Sequence, residues 1–164
     1  MDSLAVRRAY DQYAPLIYAR CRRILRDEQG ARDATQDVFE RCFRRRGDLR
    51  EGRELLAWLY RTATNACLNL LRAERTRRKH DAALAGSSAA TAADAAGPGE
   101  IAELLRGLDE RTQAIAIYVY VDGMTQLEAA QVAQVTDRTV RNCLARFIAH
   151  GKRNLGIDLQ EDCG

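Results

Sequence analysis

The chain has 164 residues, enough for one ordinary domain or two small ones, and small helical domains have thin cores. Two prolines, six per cent aromatic residues and abundant Ala, Leu, Arg and Glu favour helices over a sandwich or barrel, so the fold class is read as all-α. A formal net charge of +3 does not mark a nucleic-acid binder by itself, and the placement of the basic residues has to decide that question.

Taken in chain order, Tyr10, Tyr13, Ala14, Ile17, Cys21, Ile24 and Leu25 recur at steps of three and four, which predicts one buried face on a first helix ending near Gly30. A second helix is predicted from Ala31, with Ala34, Val38, Cys42 and Phe43 on its stripe, until Gly47 interrupts it. Residues 46–54 hold two glycines and many charges without a period and read as a loop or broken helix. Leu56, Leu59, Tyr60, Ala63, Cys67, Leu70 and Leu71 then give the strongest helical stripe. Three helices packed through these stripes make a small bundle over residues 1–81.

Residues 82–99 are mostly Ala, Gly, Ser and Thr with nothing large and apolar after Leu84, and read as a flexible linker. In the second unit, 100–156, Ile101, Leu104, Leu105 and Leu108 mark a short helix, followed by another from about Glu110 to Val121 and a turn at Asp122-Gly123. Thr125 with Glu128 forms a capping-box pattern for a helix from Gln126 to about Ala133. Thr136 is placed to cap the next helix, whose inner face carries Val140, Leu144, Phe147 and Ile148. Residues 157–164 form a short polar tail.

No apolar run approaches the roughly eighteen residues needed to span a bilayer, and the opening MDSLAVRRAYDQY is too polar for a signal peptide. A soluble, cytoplasmic protein without membrane insertion is expected. Five cysteines, Cys21, Cys42, Cys67, Cys143 and Cys163, include no C-x-x-C pair, which argues against zinc and against a disulfide framework. They are expected to be reduced and mostly buried, apart from Cys163 in the tail. His80 and His150 lie in different units with no carboxylate or cysteine at ligand spacing, and no phosphate-cradling glycine loop is present. Neither an enzyme nor a cofactor is expected.

Two short helices joined by a tight turn, Thr125 to Ala133 and Asp137 to about Lys152, have the form of a helix-turn-helix. The second carries Arg138, Thr139, Arg141, Asn142 and Arg146 opposite its apolar stripe, where arginine can pair with guanine and asparagine with adenine in the major groove. An ordinary solvated helix face has the same composition. A second basic cluster, Arg72, Arg75, Arg77, Arg78 and Lys79, exceeds what a helix C-terminus needs to oppose its dipole. Beside it, Arg50 and Arg53 in the loop and Trp58, Arg61 and Asn65 on one helical face suit phosphates and unstacked bases. Trp58 serves equally well as the largest core residue of the bundle.

Three stretches, DATQDVFERCF at 33–43, AWLYRTATNACLNLLRAER at 57–75 and YVDGMTQLEAAQVAQVTDRTVRNCLARF at 120–147, resemble the extracytoplasmic-function (ECF) group of the sigma-70 family of bacterial RNA polymerase sigma factors. The resemblance implies a sigma domain 2-like bundle and a sigma domain 4-like helix-turn-helix, with promoter-specific transcription initiation as the function. It implies RNA polymerase core as partner, through the β′ clamp helices and the β subunit, together with promoter DNA and an anti-sigma factor. Asp33, Gln36, Asp37 and Glu40 then fall on the polymerase contact, with Val38 and Phe39 supplying apolar contact. Trp58, Arg61, Asn65, Arg72 and Arg75 fall on the −10 element, Asn65 at the position that reads a flipped base. Arg138, Thr139, Arg141, Asn142 and Arg146 fall on the −35 element.

Two departures from the family pattern stand out. The loop before Trp58 reads DLREGRELL, with Leu49, Leu55 and Leu56 where aromatics are common, and Gln134 replaces the usual glycine of the helix-turn-helix turn. The turn is expected to keep its angle with some strain. A one-component regulator would need a ligand pocket and a sensor, and a pure sequestering protein would not need base-reading surfaces.

Overall fold

A computed structural model describes residues 2–84 and 100–155 of the chain. The expected linker beyond residue 84 and the tail, with Cys163, lie outside the described residues. Seven α-helices and no strand are found among them, and none of these helices is long and apolar enough to cross a membrane.

Helix α1 runs Ser3–Leu25, its first turn capped by Asp2, whose carboxylate accepts from the Ala5 amide at 2.7 Å. It ends at Arg26 in left-handed geometry, and Asp27 caps α2, Glu28–Arg44, by accepting from the Gly30 amide. The break therefore falls at Arg26-Asp27 and not near Gly30, because a carboxylate at the N-cap satisfies free amides that a glycine would leave to water. Helix α3, Arg53–Leu84, starts after an irregular segment that includes Gly52 at φ 91°. It takes in residues 82–84, read from sequence as the first part of the linker.

The bundle core is built from Ile17, Cys21 and Ile24 of α1, Ala34, Val38 and Cys42 of α2, and Leu55, Leu59, Ala63 and Cys67 of α3, all buried. Tyr10, Phe43 and Leu70, expected on inward stripes, are exposed instead. Among the described residues, Cys21, Cys42, Cys67 and Cys143 are buried and free. Across α1 and α3 the Cys67 thiol is pushed up by its hydrogen bond with Cys21 and by burial, which keeps it protonated and inert.

In the second unit, α4 is Glu100–Leu104 and α5 is Glu110–Ala116. Asp109 caps α5, accepting from the Thr112 amide at 3.0 Å and the Thr112 hydroxyl at 2.7 Å. The helix expected to continue regularly to Val121 widens into a π-helical turn at Ile117–Val121, where the Asp122 amide donates to the Ile117 carbonyl at 3.0 Å. Such an insertion re-aims the side chains that follow it, and Gly123 at φ 69° then reverses the chain.

Helix α6, Gln126–Ala133, opens with the full Thr125–Glu128 capping box and closes at Gln134 in left-handed geometry, φ 56° and ψ 46°. Helix α7, Asp137–Leu155, follows, with the Thr136 hydroxyl accepting from the Thr139 amide at 3.3 Å. Val140, Leu144, Phe147 and Ile148 are buried as the stripe predicts, and Cys143 with them.

The two units are packed on each other. Leu105, Ala116, Ile117, Phe147 and Ile148 of the second unit share one apolar cluster with the core of the first. A separate cluster of Ile115, Tyr118, Ala129, Val140 and Leu144 holds the helix-turn-helix together.

Candidate nucleic-acid interface

On α7 the cap and apolar stripe fix rotation about the helix axis, so the opposite face is turned out by default. Arg138, Arg141, Asn142 and Arg146 are exposed there. Arg141 pairs with Asp137 at 3.0 Å one turn back, and Arg146 lies 3.8 Å from Asp109. Solvated pairs of this kind are worth well under about 1 kcal/mol, so a phosphate or guanine can displace them. Thr139 differs from the other four: it is half-buried, and its hydroxyl is bonded to that of Thr136 at 2.9 Å, which commits it first to the helix cap.

Helix α3 brings Trp58, Arg61, Thr62 and Asn65 to one side of a cavity of about 480 Å³, and the end of α2 supplies Arg41, Arg44 and Arg45 to the other. Trp58 packs partly against the core while still lining this cavity, so it serves both roles that its sequence position allowed. Asn65 is exposed. An amide that can both donate and accept, an indole face and four guanidinium groups in one cavity form a chemically suitable receptor for an unstacked base and its flanking phosphates. Arg41, Arg44 and Arg45 were not singled out from sequence. The run Phe43-Arg44-Arg45-Arg46 was legible only as charge near a helix end.

Arg72 and Arg75 are not part of that cavity. Ten residues of helix separate Asn65 from Arg75, about 15 Å, and the two arginines line a groove with Leu68, Leu71, Arg106 and Gln113 instead. Arg72 pairs with Glu110 of α5 at 2.8 Å. The Arg61 guanidinium donates to the Val132 carbonyl of α6 at 2.9 Å, so one wall of the α3 cavity is in direct contact with the helix-turn-helix.

Residues 9–77, which contain α2 and the whole α3 cavity, match the model of sigma-70 region 2. The chain is 24% identical to the ECF RNA polymerase sigma factor SigW of Bacillus subtilis (strain 168), over 83% of this chain and 81% of that protein. Residues 9–77 thus match sigma-70 region 2, and over most of its length the chain is similar to an ECF sigma factor of that family. Its fold is also that of the sigma factor RpoE solved in complex with the anti-sigma factor NepR from Bartonella quintana. That likeness has a TM-score of 0.56 at 18% identity, covering 93% of this chain and 98% of the other.

From the resemblance to that group, α2 was expected to present Asp33, Gln36, Asp37, Val38, Phe39 and Glu40 to polymerase. The structure divides this set. Asp33, Gln36 and Glu40 are exposed and Asp37 is half-buried, and they are held in order along the helix: Gln29 donates to Asp33 at 2.8 Å, Gln36 to Glu40 at 3.0 Å, and Arg41 bonds Asp37 at 2.8 Å. Val38, on the inward stripe, is fully buried, and Phe39 is nearly so. Apolar surface beside the acidic row comes instead from Tyr10, 50% exposed, and Phe43, 47% exposed, which line a groove between α1 and α2. Tyr10 and Phe39 meet edge to face with ring centres 4.9 Å apart, and Phe39 also lines that groove.

Sequence reasoning missed the most elaborate polar site. Arg20 of α1 has no exposed surface, and the side chain of Asp122, a residue legible only as part of a turn, is 2% exposed. Arg20 donates to the Asp122 carboxylate through Nε at 2.8 Å and through Nη2 at 2.7 Å, to the Thr64 hydroxyl at 2.7 Å and to the Tyr60 carbonyl at 3.3 Å. Its guanidinium also lies 4.7 Å from the centre of the Tyr60 ring and 5.7 Å from that of Tyr118. Burial pushes the Tyr118 phenol up, so it stays protonated. An alternation of Tyr118, Tyr120 and Asp122 is visible in the sequence, but nothing local says that residue 20 is its partner. No group of three metal-ligating side chains occurs among the described residues.

Proposed function

We propose that this chain binds RNA polymerase core and directs promoter-specific transcription initiation, with its two units acting as sigma domains 2 and 4. The observation that carries the reading is the α3 cavity, where Trp58, Arg61 and Asn65 face Arg41 and Arg44 of α2 and Arg45 just past its end. Taking a base out of a duplex costs a few kcal/mol of unstacking. An aromatic surface, an amide for the base edge and cations for the phosphates on either side offset that cost. On this reading the −10 strand enters at Trp58 and Asn65, Arg61 and the α2 arginines hold its backbone, and Arg72 and Arg75 take phosphates further along α3. Leu49, before α3, and Leu55 and Leu56, in its first turn, do not line this cavity, so base capture rests on Trp58 and Asn65 without the usual aromatics.

The exposed arginines and Asn142 of α7 take the −35 element in the major groove. The acidic row of α2 with Tyr10 and Phe43 takes the basic and apolar groups of a β′ clamp coiled coil, and the second unit reaches the β subunit. Catalysis then belongs to the polymerase. The family and the solved relative bound to an anti-sigma factor support a partner of that class for this chain, and the work is cytoplasmic, in part on the nucleoid.

Substitution separates the parts. Asn65→Ala should abolish opening of the −10 region, read by permanganate reactivity of thymines, while leaving −35 duplex binding intact; Arg141→Ala should instead weaken −35 duplex binding and, through it, promoter occupancy. Normal promoter opening by Asn65→Ala, with folded protein and active core, would overturn the assignment of the α3 cavity.

A further inference from the structure

The buried Arg20–Asp122 pair joins the two units at a distance of 102 residues in sequence. All the partners that bury Arg20 other than Asp122 and Tyr118, namely Thr64 and Tyr60, belong to the first unit. Asp122 therefore enters an arginine site whose other hydrogen-bond acceptors, the Thr64 hydroxyl and the Tyr60 carbonyl, lie in the first unit. Arg23 reinforces it from the rim, donating to the Val121 carbonyl at 3.2 Å. In the same closed arrangement Arg61 is bonded to the Val132 carbonyl and Arg72 to Glu110. Two of the five side chains assigned to the −10 strand are thus held by the second unit.

Resting on that assignment, we infer that the closed packing is an autoinhibited state of this chain, latched by Asp122 in the Arg20 socket, and that DNA capture by the α3 surface requires the latch to open. The chemistry suits a reversible catch. Opening hydrates both charges together, so the cost of separating them is partly returned by water. Deleting one charge has the opposite effect, because the closed state would then bury its partner unpaired. The closed state consequently depends on both charges, whereas the open state needs neither.

If only a fraction of molecules is open, single-strand affinity is reduced by that fraction. Removing the Asp122 carboxylate should restore it. The test uses the full chain as wild type, Asp122→Ala and Asp122→Asn, the second keeping side-chain size should the first fail to fold by circular dichroism. Two readouts are taken: radius of gyration by small-angle X-ray scattering, and anisotropy of a labelled non-template −10 oligonucleotide from a promoter the chain uses in run-off transcription.

An increased radius with at least a tenfold gain in affinity is expected. A variant that stays as compact as wild type, or expands without gaining affinity, overturns the latch. Adding Arg61→Ala and Asn65→Ala to the opened chain separates this from the −10 assignment: if expansion occurs but those substitutions leave affinity unchanged, the assignment fails instead.

Discussion

The turn of the helix-turn-helix gives the sharpest test of the link between local backbone and fold. Gln134 sits at φ 56° and ψ 46°, with the Val135 amide donating back to the Ala130 carbonyl at 3.0 Å, a helix end of the kind usually built on glycine. Left-handed geometry costs an L-residue about 1–2 kcal/mol, while glycine gives back about 0.5–1 kcal/mol in unfolded-chain entropy. Gln134→Gly should therefore stabilise the fold by about 0.5–1 kcal/mol, raising Tm by roughly 1–4 °C for a chain of this size. Gln134→Val, β-branched in the same geometry, should lower Tm. Thermal melts followed by circular dichroism at 222 nm check both. A glycine variant less stable than wild type, or a valine variant equal to it, would refute the claim that this position stores backbone strain.

Acid should loosen the second unit through Asp109. Hydrogen bonds from Thr112 and the nearby Arg146 hold its carboxyl below the ordinary range, although partial burial, the largest single influence, pushes the other way. Its folded pKa is lowered, so its contribution is complete above the unfolded value near about 3.9 and is lost as pH falls through the folded value. Asp109→Ala should cost about 1 kcal/mol at pH 7, and Tm measured against pH should show the gap to wild type closing below about pH 4. Phe43→Ala removes an exposed ring; it should leave stability within about 0.5 kcal/mol while weakening core polymerase binding at least tenfold by fluorescence titration. Equal binding would remove Phe43 from the docking surface. Arg141→Ala should cost about 1–3 kcal/mol of −35 duplex affinity at one base pair, and uniform loss across base substitutions at that pair would make it a phosphate contact.

Periodicity and capping chemistry carried much of the fold. The Thr125–Glu128 box and the Val140, Leu144, Phe147 and Ile148 stripe lie where the sequence places them, because each is set by neighbours within one or two turns. The α1–α2 boundary was misplaced because Asp27, a weak signal among charges, outweighs Gly30. Val38 was assigned to a docking surface by resemblance although its own stripe turns it inward, whereas Phe39, outside that stripe, is buried by packing against α1. The α3 cavity was half legible: Trp58, Arg61 and Asn65 share a helical face, whereas Arg41, Arg44 and Arg45 reach it through the packing of α2, which no local pattern encodes. The Arg20–Asp122 pair was invisible for the same reason on a larger scale, since it depends on how two units meet.

The reading as a whole turns on whether the chain confers promoter choice. Purified chain should be added to bacterial core polymerase on a template carrying the chain's own upstream region, and run-off transcripts measured with wild type, Asn65→Ala and Arg141→Ala. The account predicts a discrete start that requires the chain and is lost or sharply reduced in both variants. Folded chain with active core giving no specific start, or giving it undiminished in both variants, would contradict it.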